Sequence, residues 1–280
     1  MQNKNNPEAR LKDLLNRRKT LFTSSISGDK EGEFYILGER FTEFLAKRSF
    51  FEIVGCMWLG KGRISKELEK FVELVLKLAV DHGPYVSGAV NTIITARAGK
   101  DLVSSLSAGL LSIGPRFGGA VNSAAEIFLR AVRQDKQPAV LVEEFARNKR
   151  YIPGIGHRKY RVDMPDPRVD MLIDFVRDRD FEKKTFLNFA KEVERITARK
   201  KPNLILNVDG TIAAVGLDIF YEKEKLSFSQ LERLLKTEIF NAFFVLSRTV
   251  GFIAHFLDQK RLGESMFRLE EGDVFLAERF

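Results

Sequence analysis

Three histidines, one cysteine and one tryptophan are all that this 280-residue chain holds of those residue types. A single cysteine, Cys56, excludes an internal disulfide. Placed in the apolar run 51–59, it reads as core in a reducing compartment. One cysteine and three scattered histidines offer no recognisable ligand spacing, so no metal site is expected. Neither a GxGxxG nor a GxxxxGK[ST] motif occurs, which removes the usual signatures of dinucleotide and nucleoside-triphosphate binding. The first residues contain no apolar core of a signal peptide, and no uninterrupted apolar stretch has bilayer-spanning length. A cytoplasmic location without a membrane partner is the expectation.

What is present suits a folded protein. Hydrophobic residues make up 44% and charged residues 30% of the chain, which excludes disorder as the main state. The net charge of +8 and pI near 9.5 favour an anionic partner. Basic residues are spread along the chain in small groups such as 17–19 and 199–201. They are not interleaved with exposed aromatics, so nucleic acid is not expected and a ligand rich in phosphate and carboxylate is.

Helical periodicity dominates. Segments 64–80, 139–149, 166–177, 182–199 and 226–236 repeat apolar residues at intervals of three and four, the pattern of amphipathic helices. Segments 89–113 and 117–132 are rich in Ala, Ser and Gly, which predicts closely packed helices. The stretch 239–257 is nearly all apolar and predicts a buried helix, in which Arg248 needs a partner and His255 is expected to serve packing. Strand signals are confined to one peripheral hairpin, 21–27 and 33–37, around the turn 28–32. Loop-like breaks at 151–167 and 198–202 could bound a small inserted domain.

Two of the three histidines stand in glycine-bearing motifs, Asp81-His82-Gly83-Pro84 and Gly154-Ile155-Gly156-His157-Arg158. A carboxylate stands beside glycine in Asn207-Val208-Asp209-Gly210. Two imidazoles and one carboxylate suffice to move a proton on and off carbon while steadying an oxyanion, which points to an enzyme.

Together with Gly114-Pro115-Arg116-Phe117-Gly118-Gly119-Ala120 and the run 200–210, these motifs resemble the citrate synthase superfamily. Within it, they are most similar to the citryl-CoA lyases, both stand-alone and as the carboxy-terminal module of ATP-citrate lyases. The resemblance runs from about residue 21 to about 268, with Pro115 standing where an acidic residue is usual. It implies a mainly α, citrate-synthase-like fold: a large helical domain (1–115 and 201–280), a smaller CoA-binding domain (116–200) and an active-site cleft between them that closes to exclude water. It implies that His82 holds the thioester oxygen, His157 takes the hydroxyl proton and Asp209 serves the acetyl carbon. Arg168 and Arg248 would clamp the carboxylates, Phe117 would line the thioester pocket, and Arg268 would be lent across a homodimer or a dimer of dimers. Coenzyme A would meet Ile155, Gly156, Arg158, Lys200 and Lys201 as part of substrate and product, with no tightly bound cofactor.

The activity implied is retro-Claisen cleavage of citryl-CoA to acetyl-CoA and oxaloacetate without ATP, as in a reductive citric acid cycle. Citryl-CoA is expected to come from a separate synthetase partner, because the chain has no phosphate-binding loop. Two alternatives use the same motifs: citrate synthase proper, which also hydrolyses the thioester, and a non-catalytic CoA-binding subunit of a citrate-cleaving complex.

Overall fold

The computed structural model describes residues 16, 23–114, 117–275 and 277. It separates into two compact units, one ending at Arg63 and one beginning at Ile64.

The first unit contains an antiparallel sheet of β1 (Ser27–Lys30), β2 (Glu33–Ile36) and β3 (Glu39–Arg40), followed by α1 (Phe41–Ala46) and α2 (Phe50–Leu59). The hairpin exists, but its turn is tighter than its composition suggested. Ser27 pairs with Ile36 and Lys30 with Glu33, leaving only Glu31 and Gly32 at the tip. Both have positive φ, 56° and 82°, the two-residue turn whose twist matches that of the strands. The charged Asp29 and Lys30, expected in the turn, therefore belong to β1. Leu21 and Phe22 of the expected first strand lie outside the described residues. Ser49 caps α2 through the Glu52 amide, and Gly60 ends it in the left-handed region. Cys56 is buried there, as its apolar neighbours suggested.

The second unit is helical: α3 (Lys66–Leu78), α4 (Ser87–Arg97), α5 (Leu102–Leu110), α6 (Ala120–Arg133), α7 (Pro138–Arg147), α8 (Pro167–Arg177), α9 (Thr185–Lys200), α10 (Val208–Asp218), α11 (Phe228–Leu235) and α12 (Ile239–Leu262). The Ala/Ser/Gly stretch 89–113 forms α4 and α5, parted by a turn at Gly99, whose φ is +87°. A Cβ at Gly109 would come within 2.1 Å of Thr92 Oγ1, and one at Gly88 within 2.1 Å of the Phe252 ring. Small residues thus let α4, α5 and α12 pack backbone to backbone.

Helix α12 is long and apolar enough to cross a membrane by length and composition. Here it packs against α3, α4, α5, α6 and α11, burying Phe240, Phe243, Phe252 and Phe256. Its burial is less complete than its composition suggested, because Val250 and Leu257 remain exposed.

Helix α10 is buried along its whole length after its first two residues and packs against α6, α8 and α9. At its far end, buried Asp218 accepts from the Phe186 and Leu187 amides. Glu222, in the π-helical continuation Ile219–Lys223, accepts from the Glu182 and Lys184 amides. These two carboxylates satisfy the otherwise orphaned donors at the start of α9 and fix it to α10. Burial pushes the Asp218 carboxyl up to about 7.

Candidate active site

Glycine sets the central contact. Gly154 lies directly on Gly210, so that a Cβ at position 210 would meet the Gly154 carbonyl oxygen at 2.4 Å. Around this contact the Asn207 amide donates to the Gly154 carbonyl (3.0 Å), and the Gly156 amide donates to the Ile205 carbonyl (2.6 Å). Asn207 adds two side-chain bonds. Its Oδ1 accepts from the Gly210 amide, capping α10, and its Nδ2 donates to the Gly156 carbonyl at 2.9 Å. The loop carrying His157 and the helix start carrying Asp209 are thereby one clasped unit.

Replacing Gly210 by alanine should therefore force backbone apart and lower turnover at least about tenfold together with stability, since displacements of about 1 Å can cost a hundredfold. Gly28→Ala, where a Cβ meets nothing within 4 Å, is the control. Steady-state kinetics and thermal melts of both variants check this.

His82, His157 and Asp209 line a single cavity of about 240 Å3 together with Phe117, Arg168 and Arg248. His82 lies at an exposed position in the loop after α3. Burial, then the charges of Arg168 and Arg248, hold its imidazole below its ordinary pKa. His157 is lowered chiefly by burial, with the Arg168 charge adding to it against the pull of Asp166. Both shifts favour the uncharged form of the ring. His157 Nδ1 accepts from the Lys159 and Tyr160 amides at 3.0 and 2.9 Å, so the ring proton sits on Nε2. That tautomer changes the part expected of His157: the ring presents a donor, not a free lone pair, to a ligand.

Asp209 sits in the first turn of α10 with no hydrogen bond to its carboxyl among the described residues. It keeps contact with the cavity, yet protein packs closely around it, and this burial raises its pKa despite the nearby Arg168 and Arg248. A carboxyl shifted upward in this way is a stronger base than an ordinary one and is more often protonated near neutral pH, as a group that alternates between base and acid requires.

The two arginines are prepared differently. Arg168 follows Pro167 at the start of α8, and Asp166 caps that helix through the Arg168 amide. The same carboxylate grips the guanidinium twice, at 3.0 Å to Nε and 2.7 Å to Nη2. Burial pulls Asp166 upward, but these bonds and the Arg168 charge outweigh it and keep its pKa below the ordinary value. Arg248, 5% exposed, has Nε and Nη1 buried without a partner, and burial lowers its pKa. Its guanidinium lies 4.9 Å over the Phe244 ring, which in turn meets Phe117 edge to face at 5.8 Å. An unpaired buried guanidinium opening on a cavity has the donors and the charge to receive a carboxylate.

The remaining expected residues lie outside this cavity. Arg158, Lys200 and Lys201 are exposed, Arg158 in the segment 155–162, which hydrogen-bonds to 202–206 through the His157, Val162 and Gly156 amides, and Lys200 and Lys201 at the end of α9 just before the second of these segments. The amides of Ile155 and Gly156 donate to the Ile152 and Ile205 carbonyl oxygens, so these two donors are already committed within the protein. Arg268 is exposed and does not reach the cavity of its own chain. Among the described residues, no group of His, Cys, Asp and Glu is arranged to hold a metal ion. Asp166, Asn207 and Phe244 went unassigned in the sequence. Asp166 opens the periodic segment 166–177, Asn207 opens the motif Asn207-Val208-Asp209-Gly210, and Phe244 stands one helical turn before Arg248.

Residues 35–270 match the family model for the citrate synthase C-terminal domain. The chain belongs to the citrate synthase family. It is 42% identical over 261 residues to ATP-citrate synthase subunit 1 of Sordaria macrospora, a match covering 93% of this chain and 38% of the relative. Among solved structures it is similar to the ATP citrate lyase of Methanothrix soehngenii in complex with citrate and coenzyme A, with a TM-score of 0.88 and 38% identity over 98% of this chain and 44% of that one. The citryl-CoA lyase of Hydrogenobacter thermophilus follows with a TM-score of 0.79 and 27% identity, covering 92% of this chain and 95% of that one. The chain thus spans less than half the length of the ATP-citrate relatives and nearly all of the citryl-CoA lyase. The citrate-synthase-like helical fold expected from the motifs is the one observed.

Proposed function

We propose that this chain is a citryl-CoA lyase, cleaving citryl-CoA to acetyl-CoA and oxaloacetate without ATP. The observation that supports this reading best is the gathering of His82, His157, Asp209, Arg168 and the unpartnered Arg248 on one cavity. Arg168 and Arg248 bind the carboxylates of the citryl group. The bond between the thioester-bearing CH2 and the carbinol carbon breaks, leaving its electron pair on the CH2 as an enolate. His82, neutral and held at the cavity mouth, donates to the enolate oxygen, a preset interaction worth about 3 to 4 kcal/mol in the barrier. Asp209 delivers a proton to the CH2 carbon.

The carbinol oxygen meanwhile loses its proton and becomes the ketone of oxaloacetate. With its Nδ1 committed to two amides, His157 steadies that oxygen through Nε2–H. Asp209, as the carboxylate, accepts the carbinol proton and returns it to the CH2 carbon, so the proton balance closes on this one group. Arg158, Lys200 and Lys201, all exposed, supply positive charge suited to the CoA phosphates, and the 155–156 loop meets the coenzyme through atoms other than its two committed amides. The CoA-binding part is the segment 116–200, which closes over the substrate. Citryl-CoA comes from a separate synthetase.

Purified chain given citryl-CoA and no ATP should form oxaloacetate, read as NADH oxidation by coupled malate dehydrogenase. A flat trace from folded protein removes the reading. Release of free thiol from acetyl-CoA plus oxaloacetate would identify a synthase instead.

A homodimer in which Arg268 completes the neighbouring site accounts for the arginine that its own cavity leaves out. The mutually packed helices α4, α5 and α12 also leave Val103, Val250 and Leu257 exposed for such an association. Mixing inactive Arg268→Ala and Asp209→Asn chains under subunit exchange should restore about a quarter of the wild-type activity, because each mixed dimer has one intact site. No recovery would place Arg268 outside the site.

A further inference from the structure

Helix α12 supplies more than Arg248. Positions 248, 251 and 255 follow one helix face at intervals of three and four residues, and this face meets the loop that bears His82. Gly251 makes that approach possible: a Cβ there would strike the Val80 carbonyl oxygen at 2.3 Å and crowd Asp81 Oδ1 at 3.2 Å. One turn on, His255 Nε2 lies 3.0 Å from Asp81 Oδ1. The other oxygen, Asp81 Oδ2, accepts from the Gly83 amide at 3.0 Å. Asp81 therefore spans the residue between them, His82, and ties the loop back to α12. Burial pulls the Asp81 carboxyl upward, but the Gly83 amide and the His255 ring outweigh it and keep its pKa below the ordinary value.

We propose that His255 is a positioning residue for His82, holding it through Asp81 on the same helix that places the carboxylate-binding Arg248. The sequence suggested only packing for this histidine, yet its ring is 17% exposed and its Nε2 is spent on a loop distant in sequence. The arrangement yokes two ends of the substrate. Arg248 meets a citryl carboxylate and His82 the thioester oxygen, so one rigid helix sets the distance between them. This rests on the reading of His82 as the donor to that oxygen.

The test compares His255→Ala and His255→Gln in the full chain, by citryl-CoA kinetics, thermal melting and amide hydrogen exchange over residues 80–86. Gln can return an N–H near the position of Nε2. In His255→Ala, kcat should fall by about tenfold to a hundredfold. KM and melting temperature should stay close to wild type, Gly83 exchange should quicken, and His255→Gln should recover most of both losses. Unchanged Gly83 exchange in the alanine variant overturns the proposal. So does a kcat within twofold of wild type, or a glutamine variant no better than alanine. If the wild-type chain does not cleave citryl-CoA at all, the proposed reaction fails instead. The exchange measurement then still decides whether His255 holds the loop.

Discussion

Asp209→Asn should lower citryl-CoA cleavage by about a hundredfold to ten-thousandfold while leaving the fold in place, the range expected when a positioned acid–base group is removed. Asparagine keeps the shape and can still fill the first turn of α10, but it cannot carry the proton. Because the carboxyl has no hydrogen bond to lose among the described residues, the substitution should not destabilise the chain. The buried position that raises the Asp209 pKa disfavours a charge there, so the neutral amide should melt at the same temperature or slightly higher. KM should change little, since Arg168 and Arg248 remain. Kinetics and calorimetry on one preparation check both signs. Retained turnover would show that Asp209 does not carry the proton of the reaction.

Arg248→Met should separate function from stability more sharply still. Two guanidinium nitrogens are buried without partners, and a buried polar group left unpaired costs about 1–3 kcal/mol, more when it is charged. Methionine fills much of the same volume among Phe244 and its neighbours without that cost, so the variant should melt higher than wild type. Its kcat/KM should nevertheless fall at least a hundredfold, because a charge-assisted carboxylate contact is gone. A stabilised and inactive protein is the expected outcome. If Arg248→Met melts lower, the guanidinium has a structural partner after all; if activity persists, it does not touch substrate. Arg168→Met offers the contrast. Removing it strands the buried Asp166, so there both stability and activity should fall.

Much of the fold was legible because amphipathic spacing is local. The segments 166–177 and 182–199 became α8 and α9 with shifts of a few residues at their ends. The hairpin register was not legible, since the choice between a five-residue and a two-residue turn rests on positive φ at Glu31 and Gly32, and Glu31 carries no such signature. The motifs named the side chains that line the cavity, but not what holds them there. Asp166, Asn207 and Asp81 act by bonds to residues two or more positions away or across the fold. The His157 tautomer depends on two backbone amides that follow it in a turn, and no letter in Gly-Ile-Gly-His-Arg encodes that. His255 looked like packing because its partner is 174 residues distant.

The claim on which the rest depends is that three remote segments serve one reacting carbon centre, and a crystal structure of the chain with citrate and coenzyme A tests it most directly. Citrate should lie with carboxylates on Arg168 and Arg248, its hydroxyl oxygen about 3 Å from His157 Nε2, and its arms between His82 and Asp209, with the CoA thiol reaching the same cavity. Citrate bound elsewhere, or a CoA whose thiol cannot approach Asp209, would contradict the account.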